Sequence, residues 1–151
     1  MIKSKPMKDR SGKLVRTRYE LNWIESSNHD GIQKIEILND KEEEVGFLEF
    51  FLEEADLEIF EFKVKTQRLG HGTLLMHTLF KLVPRFNDRL LAMGLKKITA
   101  IKGTVVPDET IISKEVLTKM YEGYGFKVEE DDKFNISLEE VVKLQKTLFL
   151  R

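Results

Sequence analysis

Two short stretches carry residue types at spacings that could do chemistry. The first is Gln67-Arg68-Leu69-Gly70-His71-Gly72-Thr73. Glycines at 70 and 72 let the chain turn sharply and leave backbone N–H groups unshielded, so that several can point at one anion. A helix starting here adds the positive end of its dipole. Each such contact is worth about 0.3–1 kcal/mol when exposed and about 2 when partly buried, so several must act together on a group such as a pyrophosphate. The turn lacks the Gly-Lys-Ser/Thr of a Walker loop and has one glycine too few for a dinucleotide fingerprint. The second stretch is Tyr121-Glu122-Gly123-Tyr124-Gly125-Phe126. A phenol with an ordinary pKa near 10 can act as an acid toward a basic group within hydrogen-bond reach. An aromatic at a helix end is as readily a core residue, and Tyr124 stands one turn from Tyr121.

Periodicity says which elements place these stretches. Val15, Thr17, Tyr19, Leu21 and Trp23 alternate with polar residues, the pattern of a half-buried strand over 15–23. A second strand is expected over 32–38, a turn at Asn39-Asp40-Lys41, and a third strand over 45–52 that is apolar on both faces and therefore central. In the fourth strand, 57–65, the apolar alternation changes phase between Ile59 and Phe60. Either one extra residue forms a β-bulge there, or the strand is buried on both faces. The period then becomes helical: Leu75, Leu79, Leu82, Phe86, Leu90 and Met93 form one stripe over 73–92. That stripe passes through Pro84, which predicts a kink, and Gly94 supplies a left-handed closing residue. A fifth strand over 97–102 follows, and strand, helix, strand implies a parallel pair with a right-handed crossover in a mixed sheet. Asp108 is placed to cap a helix running to about 124 with a stripe of Ile112, Val116 and Met120. A sixth strand over 126–128 comes next. Ser137 and Glu140 suit a capping box for a short helix to about 145, before a last strand over 146–150.

Composition bounds the reading. The 151 residues are the usual size of one domain, expected to span 1–151 with 1–14 as a flexible basic arm. Cysteine is absent, which excludes disulfides and thiolate metal sites and favours the cytoplasm. His29, His71 and His77 match no zinc spacing, so no metal is expected, and the ring of His71 is expected to point to solvent. No run of 18 apolar residues exists, so no membrane-spanning helix is expected. Charge is uneven: eleven acids stand against Lys41 over 36–61, and eight Lys or Arg against Asp88 over 62–97. The basic segment suits an anionic ligand and the acidic one a cationic ligand, although solvated strand edges carry acids for solubility alone. A nucleic-acid role for the basic residues from Lys3 to Arg18 is not supported, because no aromatics are interleaved with them.

The two motifs in this order resemble the GCN5-related N-acetyltransferase (GNAT) family. The resemblance implies an acyl-CoA N-acyltransferase fold of mixed α/β type, a central twisted mixed sheet flanked by helices. Gln/Arg-x-x-Gly-x-Gly/Ala opens the helix after the family's fourth strand, and Tyr-x-x-x-Gly-Phe closes the helix after its fifth. It implies acetyl-CoA as co-substrate, with the pyrophosphate held by Gln67, Arg68, Leu69, Gly70, His71, Gly72 and Thr73. The pantetheine arm would pair with the backbone near Phe62 and Val64. Tyr121 takes the position of the acid that protonates the departing thiolate. A base is needed as well, because an alkyl amine with pKa about 10.4 is neutral in about one molecule in 2,500 at pH 7, a cost of about 4.6 kcal/mol. The family often uses a fourth-strand glutamate, for which Glu58 and Glu61 are the candidates. The implied activity is direct transfer of an acetyl group to a primary amine, on a small molecule or a protein lysine or N-terminus, without membrane or nucleic acid. The alternative is a CoA-binding regulatory domain that has lost catalysis. Homodimers are common in the family. Three features depart from its pattern: the short spacing from Val64 to Gln67, Lys114 where many members carry Asn, and a long segment over 103–112. That segment and 24–31 are where acceptor specificity would lie.

Overall fold

The computed structural model describes residues 1–26, 29–107 and 112–149. In chain order its elements are β1 (Ile2–Lys3), β2 (Met7–Lys8), β3 (Leu14–Tyr19), β4 (Gln33–Asn39), β5 (Glu44–Glu53), β6 (Asp56–Val64), α1 (His71–Ala92), β7 (Ala100–Thr104), α2 (Lys114–Gly123), β8 (Lys127–Val128), β9 (Lys133–Ser137) and α3 (Leu138–Phe149). They form one nine-stranded sheet in the order β1-β3-β4-β5-β6-β7-β9-β8, with β2 also on β3. Among the described residues only β6 and β7 run parallel, joined through α1, so the sheet is mixed as the sequence implies. None of the helices in the described residues is long and apolar enough to cross a membrane.

The phase change in β6 is a bulge. Glu49 of β5 opposes Glu61 and Phe50 opposes Ile59, which leaves Phe60 as the extra residue. One consequence is that Leu57, Ile59, Phe62 and Val64 share a face with Leu48 and Phe50. The other is that Phe60 is pushed out, 58% exposed, with its ring edge against Phe51. The apolar face is covered by α1, whose Leu75, Leu79, Leu82, Phe86 and Leu90 are buried against β4, β5 and β6. Burying each such side chain is worth about 1.5–3 kcal/mol. Phe50, Phe86 and Trp23 meet with ring centroids 5.1–5.8 Å apart. Asn87, also on the inner face of α1, accepts from the Ile98 N–H (2.6 Å) and donates to its carbonyl (3.1 Å), tying the helix to the chain that enters β7.

Several elements differ from expectation. The first predicted strand ends at Tyr19, and Trp23 is buried from a turn, where its apolar ring gives the same alternation without a ladder. Met93 is 43% exposed, because Gly94 (φ 73°) ends α1 there and Leu95 N–H bonds back to Leu90. β7 starts three residues later than predicted. The helix after it starts at Lys114, capped by Ser113, which accepts from the Val116 N–H; Asp108 lies outside the described residues. Its buried residues are Leu117 and Tyr121 while Val116 is 56% exposed, a rotation of the predicted stripe by one position. Ser137 does cap the last helix, accepting from the Glu140 N–H, but that helix runs on to Phe149 where a strand was expected. The strand beside β7 is instead β9, whose five residues carry only Phe134 and Ile136 as an apolar signal. Residues 1–14 are paired along the sheet edge through β1 and β2.

Candidate functional site

The site begins where β6 and β7 part. Their parallel pairing covers Asp56–Glu58 against Ala100–Lys102 and then stops. Beyond Glu58 the next six residues of β6 keep β5 on one side and have no strand on the other among the described residues. Such an edge offers alternating N–H and C=O groups to an extended ligand. The open edge runs into the turn at 65–70 and so to the start of α1.

That helix starts on Gly70, whose φ of 83° is left-handed, with no side-chain cap. Arg68 is also left-handed (φ 67°), so the turn doubles back twice within three residues. The first helical N–H groups, those of His71, Gly72 and Thr73, find no acceptor among the described residues. Orphan donors at an uncapped helix start are an anion site in waiting. A cavity of about 370 Å³ opens on them, the lower part of the range for small-molecule sites. Phe62 and Val64 line it from β6; Gln67, Arg68, Gly70, His71, Gly72 and Thr73 line it from the turn. Leu69 does not, its carbonyl instead accepting from the Arg10 N–H (3.1 Å). Among the described residues, the charged ones on the wall are Arg10, Lys63 and Arg68, with no acid.

Two wall residues stand where the sequence alone does not place them. Arg10 reaches the cavity from the segment between β2 and β3, and only the three-dimensional pairing of that segment brings it there. Tyr124 lines the cavity, and its hydroxyl is hydrogen-bonded to Thr73; burial raises its pKa, opposed by that bond and by Arg10. His71 differs from expectation. Its ring is 4% exposed, with Nε2 donating to Asp9 Oδ2 at 2.9 Å, because the N-terminal segment folds over it. Its other ring nitrogen, Nδ1, is buried with no partner among the described residues. Asp9 also accepts from the Ser11 hydroxyl and from the N–H groups of Ser11 and Lys13, and these bonds hold its carboxyl well below the usual range despite burial.

Tyr121 is buried, with its ring stacked on Phe134 at 4.0 Å and edge-on to Phe62 at 6.2 Å. Phe134 opposes Gly103, the residue after Lys102, where the β6–β7 pairing ends, so Tyr121 sits at the level of the fork. Burial pushes its hydroxyl well above the ordinary phenol value. The helix end that carries it is a Schellman turn: Gly125 (φ 107°) bonds to the Glu122 carbonyl and Phe126 to that of Tyr121. Phe126 is 4% exposed, its ring 4.9 Å from that of Phe134.

The two glutamates part company. Glu58 lines a separate cavity of about 640 Å³ with Lys102, Lys133 and three acids, Glu129, Glu130 and Asp131. Glu61 faces Glu49 across the ladder and pairs with Lys63 at 2.8 Å. The Lys63 contact, chiefly, lowers the pKa of Glu61, while burial and the shared hydrogen bond with Glu61 raise that of Glu49. Lys114 pairs with Asp132 at 2.9 Å. No group of three or more His, Asp or Glu in the described residues is placed to hold a metal ion.

Known structures share this architecture. The chain is similar to the KacTA–DNA complex (TM-score 0.57, 10% identity, covering 85% of this chain and 89% of that one). It is also similar to AtaTR bound with AcCoA (TM-score 0.54, 13% identity, 75% and 71%). A third similar structure is an acetyltransferase of the GNAT family from Staphylococcus aureus Mu50 (TM-score 0.50, 16% identity, 78% and 74%). The fold is GNAT-like. No protein-family model and no curated protein sequence matches the chain. The GNAT-like fold therefore rests on architecture, and at these identities the likeness speaks for the fold alone.

Proposed function

We propose that this protein is an acetyl-CoA-dependent N-acetyltransferase. The observation that carries the reading is the continuity of the open β6 edge with the uncapped, acid-free glycine turn. An extended pantetheine arm and a diphosphate need those two environments in that order. Bound there, acetyl-CoA supplies an activated acetyl group. The edge near Phe62 and Val64 would hold the arm, and the turn from Gln67 to Thr73 the phosphates, with Leu69 contributing backbone only.

The protein's own part is to position and to move protons. A backbone N–H of β6 at the fork is suited to stabilise the carbonyl oxygen as the amine attacks. Tyr124 stands at the phosphate end, beside Thr73, and so is assigned to binding. Tyr121 stands at the fork and is assigned as the acid that gives its proton to the departing sulfur. Its raised pKa keeps it protonated for that purpose. For the base we favour Glu58, which opens on the acidic cavity at the fork, over Glu61, whose proton affinity Lys63 reduces. Glu129, Glu130 and Asp131 around Glu58 suit a cationic acceptor, on a small molecule or a protein.

The burial of Tyr121 against Phe134 favours a second reading, a CoA-binding regulatory domain in which that ring only packs. The test of the first reading is thermal denaturation with and without acetyl-CoA, followed by an amine screen. A ligand at about 100 times its Kd adds roughly 2.7 kcal/mol, which raises Tm by several degrees at this size. No rise at millimolar acetyl-CoA would overturn both readings; a rise with no transfer to any amine would favour the second.

A further inference from the structure

The Asp9–His71 pair is the least expected contact in the molecule, since it joins the N-terminal segment to the glycine turn across 62 positions of sequence. Both side chains are nearly fully buried, 3% and 4% exposed. The residue next to Asp9 is held by the backbone as well, through the Arg10 N–H bond to the Leu69 carbonyl. The Arg10 side chain then lies over Gly70, its Nε 3.4 Å from where a Cβ would stand. Its guanidinium has no carboxylate partner among the described residues, and neither does that of Arg68. The nearest acid in sequence, Asp9, is already occupied by four hydrogen bonds.

We infer that Arg10 is a binding residue for the cofactor's diphosphate, and that Asp9 and His71 are positioning residues that pin its segment across the turn. The inference rests on reading this cavity as the CoA site. An arginine that is fixed through its backbone, faces uncapped helical N–H groups and is left unpaired offers a planar fork to phosphate oxygens. It completes an anion site that the turn alone makes from weak dipoles. His71 lines the same wall, and its Nδ1 is buried without a partner among the described residues. The N-terminal segment thereby belongs to the site rather than to the sheet edge alone.

Isothermal titration of CoA and of dephospho-CoA into the full chain tests this. Arg10 is exposed, so Arg10→Ala should fold with Tm nearly unchanged. It should weaken both ligands about 10- to 100-fold, the loss of a charged hydrogen-bonding partner, with Arg10→Lys recovering part. Asp9→Asn should weaken binding in the same direction, and Asp9→Asn with Arg10→Ala should be no weaker than Arg10→Ala alone, because both act through one guanidinium. His71→Gln, which keeps a donor toward Asp9, should retain most of the affinity. Wild-type binding with an unchanged Kd in Arg10→Ala would overturn this inference alone. A loss seen with CoA but absent with dephospho-CoA would overturn the diphosphate assignment, and additive losses would overturn the role of Asp9. No binding by the wild type would overturn the acetyltransferase reading together with it.

Discussion

The Tyr124 hydroxyl lies 3.1 Å from the point that a Cβ on Gly72 would occupy, and the Phe62 ring lies 3.4 Å from it. Gly72 is therefore the place where the helix start, the open strand edge and α2 meet. Alanine there would make the hydroxyl yield by a few tenths of an ångström while gaining about 0.5–1 kcal/mol of helix preference. Gly72→Ala should leave Tm within about 2 °C of the wild type but weaken CoA, by calorimetry, about 10-fold, the equivalent of one charge-assisted bond. Gly72→Glu, which adds a carboxylate beside the phosphates, should abolish the acetyl-CoA-induced rise in Tm.

Tyr121 in α2 and Tyr124 at its C-cap should separate kinetically. Tyr124 serves the phosphate end, so Tyr124→Phe should raise KM for acetyl-CoA and leave kcat nearly unchanged. Tyr121, as the proton donor, should behave oppositely: Tyr121→Phe lowers kcat about 10²- to 10⁴-fold at unchanged KM. A Tyr121→Phe variant with full kcat would remove that residue from the chemistry and leave it as a core ring.

Of the two glutamates on β6, Glu58→Gln should lower kcat/KM by a similar factor, most strongly at low pH where free amine is scarce. Glu61→Gln should change it little. Equal and small effects in a pH–rate series would exclude both as the base.

How much of this was legible follows from what kind of signal each feature leaves. The bulge at Phe60 was visible because a phase slip in a period-two pattern can be read from one strand alone, although whether it was a bulge or double burial needed the partner register of β5. The glycine turn and the Gly125 helix end were legible because left-handed backbone strongly selects residue type. Arg10 and the Asp9–His71 pair were not, since nothing in a local window of sequence records that residue 9 will lie beside residue 71. Strand β9 was missed for a related reason: Lys133–Ser137 is half polar and obtains its stability from pairing with β7. The end of the last helix is not legible either, because over a few apolar residues a helix and a strand look alike.

Glu49 and Glu61 face each other across β5 and β6, and their pKa values move apart, that of Glu49 up and that of Glu61 down. For Glu61, a depressed folded pKa means stability that is present above its unfolded value and lost as pH falls through the folded one. For Glu49, a raised folded pKa means the reverse: stability present at low pH and lost as pH rises through it. At pH 7 the wild type therefore carries a like-charge cross-strand pair, which costs about 0.2–1 kcal/mol. Glu49→Gln should raise Tm by about 1–3 °C at pH 7 by differential scanning calorimetry. The gain should shrink toward pH 4, where Glu49 of the wild type takes up its own proton. A gain independent of pH would show that the pair is not electrostatically linked.

A Cβ on Gly103 would stand 2.3 Å from Phe134 Cζ, far inside contact distance, and the Phe134 ring is itself stacked on Tyr121. Phe134 is 1% exposed, and its ring is packed against Tyr121 and Phe126. Gly103→Ala should therefore cost at least about 1–3 kcal/mol of stability, the usual penalty for overpacking, and lower Tm by several degrees. Because the displaced ring also carries Tyr121, the same substitution should lower kcat at temperatures well below Tm, where the protein is still folded. Gly103→Ala combined with Phe134→Leu, which removes the colliding ring atoms, should recover part of the Tm but not kcat, since Tyr121 then loses the surface it stacks on. Recovery of both would mean that Phe134 only fills space and that the position of Tyr121 is set elsewhere.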